Sequence, residues 1–268
     1  MLLAIDVGNT QTVLGLLDRS GGAGDREIDV VEHWRVSTDA DRTADEWAVL
    51  LDGLLARRRT SLADVSGVAM CSTVPAVLRE MREMADDTLA EHPTVVVEPG
   101  VRTGIPVLVD NPREVGTDRI VNSLAAVHLY GGPAIVVDFG TATTFDAVSE
   151  AGAYVGGAIA PGIGISLDAL GVRGAQLRKV ELSAPRSVIG KNTVEALQSG
   201  ALYGFAAQVD GMVERMAAEL ADDPSDVAVI GTGGLAPLMV GEARSLEYHE
   251  PWLTLVGLAL VWGRNQRS

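Results

Sequence analysis

Two short stretches of this chain join a carboxylate, a glycine and a run of hydroxyl or amide side chains. They are Asp6-Val7-Gly8-Asn9-Thr10-Gln11-Thr12 and Asp138-Phe139-Gly140-Thr141-Ala142-Thr143-Thr144. Glycine tolerates positive φ and lets a ligand come close to the backbone. The N–H groups of such a turn, with the side chains of Asn9, Thr10 and Thr12, can donate to phosphate oxygens. Asp6 has the same sign of charge as phosphate, so its chemistry there would be to hold Mg²⁺, directly or through water. An ordinary hairpin turn explains one such stretch equally well. It does not explain why two strands both end in Asp followed by Gly and Thr. The GxxxxGK[ST] pattern is absent, so this is not a Walker A loop.

A third glycine cluster, Gly231-Thr232-Gly233-Gly234, closes the apolar run 226–230. It would let a base or ribose lie on the backbone, or simply turn a strand into a helix. Between the two Asp-Gly stretches lies 110–122, DNPREVGTDRIVN, with Asp118 at a helix start. Asp118 has two readings. It is an N-cap carboxylate, or a general base for a substrate hydroxyl with Arg119 binding a substrate carboxylate.

These side chains need elements to hold them. Residues 2–6, 12–17, 28–36, 65–71 and 94–98 read as strands. Helical spacing covers 43–55, and Pro75 opens a second helix. Residues 99–116 read as a crossing segment, and a helix runs from Asp118 to about Tyr130. The pattern then restarts: AIVVD at 134–138 repeats LLAID at 2–6, about half the chain later. Strands at 144–149 and 153–160, a helix from Gly162, a long helix over 192–219, a strand at 226–230 and a closing helix at 253–264 complete the reading. The repeat predicts two similar α/β domains, residues 1–115 and 116–268, with a cleft between them.

The totals exclude several functions. The 268 residues are 47% hydrophobic and 21% charged, enough for a full core and too apolar for disorder. Aromatics are only 4%, so aliphatic side chains must fill that core. A net charge of −15 repels nucleic acid but still permits ATP, which a backbone nest and a divalent metal can hold. The single cysteine, Cys71, forms no internal disulfide, fits a reducing cytoplasm and reads as a buried structural thiol. The N-terminus lacks a basic region and meets Asp6 early, so a signal peptide is not expected. The apolar runs fall short of the ~18–20 residues a membrane span needs. A cytoplasmic protein is the expectation. His128 and His249 lack neighbours at metal-ligand spacing and read as structural.

DVGNT, DFGTATT and GTGG, in this order, resemble the phosphate-1, phosphate-2 and adenosine motifs of the actin, heat-shock-chaperone and sugar-kinase ATPase superfamily. With DNPREVGTDRIVN, GGAIAPGI, GKNTVEALQSG and PWLTLVGL added, the chain resembles type III pantothenate kinases from residue 1 to about 265. That resemblance implies two ribonuclease H-like (actin-like ATPase) domains. It implies ATP-dependent phosphorylation of pantothenate to 4'-phosphopantothenate, the first step of coenzyme A biosynthesis. The ATP site would be Asp6, Val7, Gly8, Asn9, Thr10, Gln11, Thr12 and Val13, with Thr141. Asp118 matches the catalytic base. Gly116, Thr117, Asp118, Arg119 and Thr193 would meet pantothenate. Asp138 would bind a monovalent cation, K⁺ or NH₄⁺, and members are homodimers. Two positions depart from the pattern: Val109 stands where the family usually has Tyr beside the substrate, and Thr117 where Ala is common. Val109 is the one feature that leans toward a non-catalytic homologue.

Overall fold

The computed structural model describes residues 1–18, 28–173 and 180–266. The chain groups into two compact units. The first holds Met1–Ile105, Asp110–Leu129 and Leu253–Ser268; the second holds Pro106–Val109 and Tyr130–Trp252.

In the first unit, β1 (Leu2–Val7), β2 (Gln11–Asp18) and β3 (Asp29–Ser37) form an antiparallel meander. Two further strands, β4 (Gly67–Ser72) and β5 (Thr94–Val96), extend it in parallel on the other side of β1, giving the order β3-β2-β1-β4-β5. Side chains alternate along a strand. Leu3, Ile5 and Val7 therefore join Leu14, Leu16, Val68 and Met70 in one core. The helices α1 (Ala44–Ala56) and α2 (Pro75–Thr88) close that core with Trp47, Leu51, Leu55, Val77 and Met81. Thr43 caps α1 through a reciprocal pair, accepting from the Glu46 N–H while the Glu46 carboxylate accepts from the Thr43 N–H. Pro75 takes the first helical position of α2, where its missing N–H costs nothing.

The opposite face of the same sheet receives α7 (Leu253–Asn265). A Cβ on Gly67 would run into the Trp262 ring at 2.6 Å, and one on Gly15 into Leu255 at 2.6 Å. The helix α3 (Thr117–Tyr130) packs on α7 so closely that a Cβ on Gly257 would strike the Val121 carbonyl. Thr254 Oγ1 donates to the buried Asn122 Oδ1 at 2.8 Å, which fixes the two helices in register.

The second unit repeats the plan. Its strands β6 (Ala134–Phe139), β7 (Ala142–Val148) and β8 (Tyr154–Pro161) form the meander, and β9 (Ala228–Thr232) and β10 (Tyr248–His249) add in parallel. The order β10-β9-β6-β7-β8 is the first sheet's order with each strand replaced by its counterpart. Both lead strands show four buried residues, a partly exposed Asp and one more buried residue. Ile135, Val137, Phe139 and Phe145 pack on Leu202, Ala206, Val209 and Val213 of the long helix α5 (Thr193–Leu220). Beside it lie α4 (Ile163–Arg173) and the short α6 (Ala236–Met239). Both units are thus mixed α/β structures, as the internal repeat predicts.

Candidate active site

Asp6 is the fifth residue of β1. Because Leu3, Ile5 and Val7 face the α1/α2 core, alternation turns Asp6 to the face that carries α7 and α3. Its partner in the parallel register with β4 is Cys71. The fully buried Cys71 Sγ donates to Asp6 Oδ1 at 3.4 Å. Desolvation pushes the Asp6 carboxyl up to about 7, the nearby charge of Asp118 adds to the rise, and the Cys71 bond opposes it. The Cys71 thiol is pushed up by its burial and by the two carboxylates, so it is a neutral donor and not a nucleophile. The sequence alone marks Cys71 as buried; it does not mark this contact, which only the β1–β4 register creates.

Asp118 lies inside the first turn of α3. The Gly116 carbonyl accepts from the Ile120 N–H at 3.3 Å and α3 begins at Thr117, so the N-cap reading of Asp118 does not hold. Its Oδ1 is buried and has no hydrogen-bond partner among the described residues. Burial raises the Asp118 carboxyl above its ordinary range, while the Arg119 backbone N–H, the Arg119 charge and its own N–H pull it down. A Cβ on Gly116 would sit 2.5 Å from Asp118 Oδ1, so the carboxylate occupies space that only glycine leaves open. Thr117 Oγ1 donates to the Ser72 carbonyl at 3.4 Å and ties the start of α3 to the end of β4. The first unit therefore gathers Asp6, Asp118 and Cys71 at one end of the sheet.

The β1–β2 turn lies at the same end. The Gly8 N–H donates to the Gln11 carbonyl at 3.1 Å, and Asn9, Thr10 and Gln11 are exposed. Val7 pairs with Thr12 and Asp6 with Val13, so the chain doubles straight back. Thr12 is fully buried.

In the second unit, Asp138 occupies the place in β6 that Asp6 has in β1. Gly233, at φ +92°, lies against it: a Cβ there would meet Asp138 Oδ1 and approach the Phe139 N at 2.7 Å. The Asp138–Thr232 pairing of β6 with β9 brings the GTGG cluster to this point. Thr141 is exposed in the β6–β7 turn, and its carbonyl accepts from the Gly162 N–H at 3.1 Å. Val109 is half-exposed; the segment before it is held by the Leu108 N–H donating to the Tyr154 carbonyl at 2.8 Å. Thr193 is the exposed first residue of α5, just after the N-cap Asn192, whose Oδ1 accepts from the Glu195 N–H at 3.0 Å.

Among the described residues no cluster of three or more His, Cys, Asp or Glu could hold a metal ion. Asp6 nevertheless fits a divalent cation that brings most of its own ligands. Burial and the charge of Asp118 raise the cost of ionising Asp6, and a cation beside Asp6 would offset that cost. Mg²⁺ suits such a site because it keeps several waters and binds through one or two carboxylates plus phosphate oxygens.

Solved structures place the fold. The activator of 2-hydroxyisocaproyl-CoA dehydratase from Clostridium difficile, solved with bound ADPNP, matches with a TM-score of 0.57 at 11% identity, covering 100% of this chain and 97% of that one. Component A of the (R)-2-hydroxyglutaryl-CoA dehydratase of Acidaminococcus fermentans matches at 0.55 and 16% identity, covering 97% and 96%. These likenesses show that the chain shares the mixed α/β fold of both proteins. Closer relatives are found by sequence. A type III pantothenate kinase of Streptomyces avermitilis is 65% identical over 269 residues, covering 99% of this chain and 98% of its own length. One from Thermobifida fusca is 60% identical over 265 residues, covering 99% of this chain and 100% of its own. The profile of type III pantothenate kinases matches residues 2–215. On a match this long and relatives this similar, the chain belongs to the type III pantothenate kinase family.

Proposed function

We propose that this protein transfers the γ-phosphoryl group of ATP to the primary hydroxyl of pantothenate, with Asp118 as the base. Family membership makes it a kinase of pantothenate in coenzyme A biosynthesis. What supports the residue assignment is one observation: Asp118 Oδ1 is a buried acceptor with no donor among the described residues. Leaving a carboxylate oxygen so costs about 1–3 kcal/mol or more unless a ligand completes it. A substrate hydroxyl is such a donor.

Asp118 accepts the hydroxyl proton as the oxygen attacks the γ-phosphorus, the bond to the β-phosphate bridging oxygen breaks, and ADP leaves. Its raised affinity for a proton, caused by burial, brings it nearer the operating pH and makes it a better base. Arg119, next along α3, would meet the pantothenate carboxylate, with Gly116 and Thr117 beside it on the same helix start. The turn from Asp6 to Val13 would hold the triphosphate. Mg²⁺ beside Asp6 would neutralise charge on the β and γ oxygens, and a monovalent cation at Asp138 would add positive charge. The chain's own contribution is positioning and exclusion of competing charge.

A homodimer agrees with the surface of the second unit, where Ile159, Ile165, Leu170, Val172, Val188 and Ile189 are exposed on β8, α4 and the stretch before α5. No described helix is long and apolar enough to cross a membrane, and the buried free thiol of Cys71 suits a reducing cytoplasm. The assignment of Asp118 is tested by Asp118→Asn. Loss of turnover with ATP binding kept supports it; near-normal turnover would remove Asp118 as the base.

A further inference from the structure

Thr38, the residue after β3, is absent from every motif considered above, yet it makes three hydrogen bonds to the β1–β2 hairpin. Its N–H donates to the Thr10 carbonyl at 3.0 Å. Its Oγ1 donates to the Gly8 carbonyl at 2.7 Å. Its Oγ1 also lies 2.9 Å from Thr12 Oγ1.

A hydroxyl has one proton. Thr38 gives its proton to Gly8, whose carbonyl oxygen can only accept. The Thr12–Thr38 bond must then be made by the Thr12 proton. Thr12 is fully buried and its only hydroxyl proton is committed to Thr38. A relay therefore runs from Thr12 to Thr38 to the Gly8 carbonyl. It also engages both carbonyl oxygens, of Gly8 and Thr10, whose partial negative charge would repel an anion in this turn.

We propose that Thr38 is the positioning residue of the phosphate-binding turn, and that Thr12 serves it as proton donor instead of meeting phosphate with its hydroxyl. Thr38 has this role only if residues 6–13 hold the ATP phosphates, as proposed above. Thr38 touches the turn and not the acceptor site, so its loss acts on nucleotide and spares pantothenate.

The test is steady-state kinetics and MgATP calorimetry on the full chain carrying Thr38→Val, Thr38→Ser, Asn9→Ala, Thr12→Val, and Thr38→Val with Thr12→Val. Thr38→Val keeps the side-chain shape and removes the donor. It raises KM and Kd for ATP about tenfold, the scale of a carbonyl that loses its partner, with KM for pantothenate unchanged and kcat changed much less. Thr38→Ser keeps the hydroxyl and restores affinity. The double variant binds ATP no more weakly than Thr38→Val alone, because Thr12 acts through Thr38. If the double variant loses a further factor equal to that of Thr12→Val, Thr12 touches phosphate itself and the relay is wrong. If Thr38→Ser binds ATP about tenfold more weakly than the parent, the hydroxyl alone does not hold the turn and the proposal fails. That arm is read against the parent and stands even if the valine variant fails to fold. Weak binding by Asn9→Ala beside normal binding by Thr38→Val overturns the role of Thr38 alone. Normal binding by both overturns the phosphate site as well.

Discussion

Gly116 and Asp118 are fitted to each other: a Cβ on residue 116 would lie 2.5 Å from Asp118 Oδ1, the buried oxygen that lacks a partner among the described residues. Gly116 is not among the positive-φ glycines, so the constraint is space and not backbone conformation. The atom in the way is the end of a side chain, which can rotate. Gly116→Ala is therefore expected to fold, with a melting temperature within a few degrees of the parent, and to lose about 10²-fold in kcat as the base is displaced. Paired thermal melts and turnover measurements check this. Parental kcat in the alanine variant would separate the carboxylate's position from catalysis.

Asp118→Asn removes the proton acceptor while keeping the size of the side chain. General-base catalysis is worth about 10²–10⁴-fold, and kcat is expected to fall by that amount. Kd for MgATP should stay within a few-fold, because the turn and Asp6 are untouched. A large rise in that Kd would indicate that Asp118 serves the nucleotide.

Asp6 makes stability depend on pH in a direction opposite to most carboxylates. Its folded value, about 7, is above the ordinary 3.8 of a free aspartate. The folded state thus binds more protons than the unfolded state between those two values, and stability falls as pH rises through that window. Asp6→Asn removes the charge, so at pH 8 the metal-free variant should melt several degrees above the parent, on the order of 1–3 kcal/mol. The gain should shrink toward pH 4. Melting curves without Mg²⁺ across pH 4–8 decide it, and a constant difference would contradict the buried-charge account.

Gly233 differs from Gly116 in kind. It has φ +92°, and a Cβ there would crowd the backbone of Phe139 at N and C, 2.7 and 2.8 Å away. Backbone cannot swing aside. Gly233→Ala is expected to destabilise by roughly 2–4 kcal/mol and to weaken activation by K⁺, since Asp138 Oδ1 lies in the same space. Denaturant unfolding with a K⁺ titration checks both, and wild-type values for each would detach Gly233 from the Asp138 site.

Much of this was legible in the sequence. Short apolar runs bounded by turn residues mark every long strand, and the LLAID/AIVVD repeat foretells two similar α/β units. Thr43 and Pro75 mark the starts of α1 and α2 through cap and first-turn chemistry. The two-residue β10 and four-residue α6 left no signal, because neither spans a full period. Cys71 and Thr38 were hidden for a different reason. Cys71 meets Asp6 across a parallel pairing of strands 65 positions apart, and Thr38 meets Gly8 from 30 positions away. Such contacts depend on register, which no local pattern prints. The N-cap reading of Asp118 failed by two residues, since Gly116 supplies the first helical carbonyl.

The most direct test of the central claim is ADP release by the purified protein with MgATP and K⁺, with and without pantothenate. The account predicts release that requires pantothenate and that drops when K⁺ is omitted. ADP release indifferent to pantothenate, or none from a folded protein that binds ATP, would contradict it.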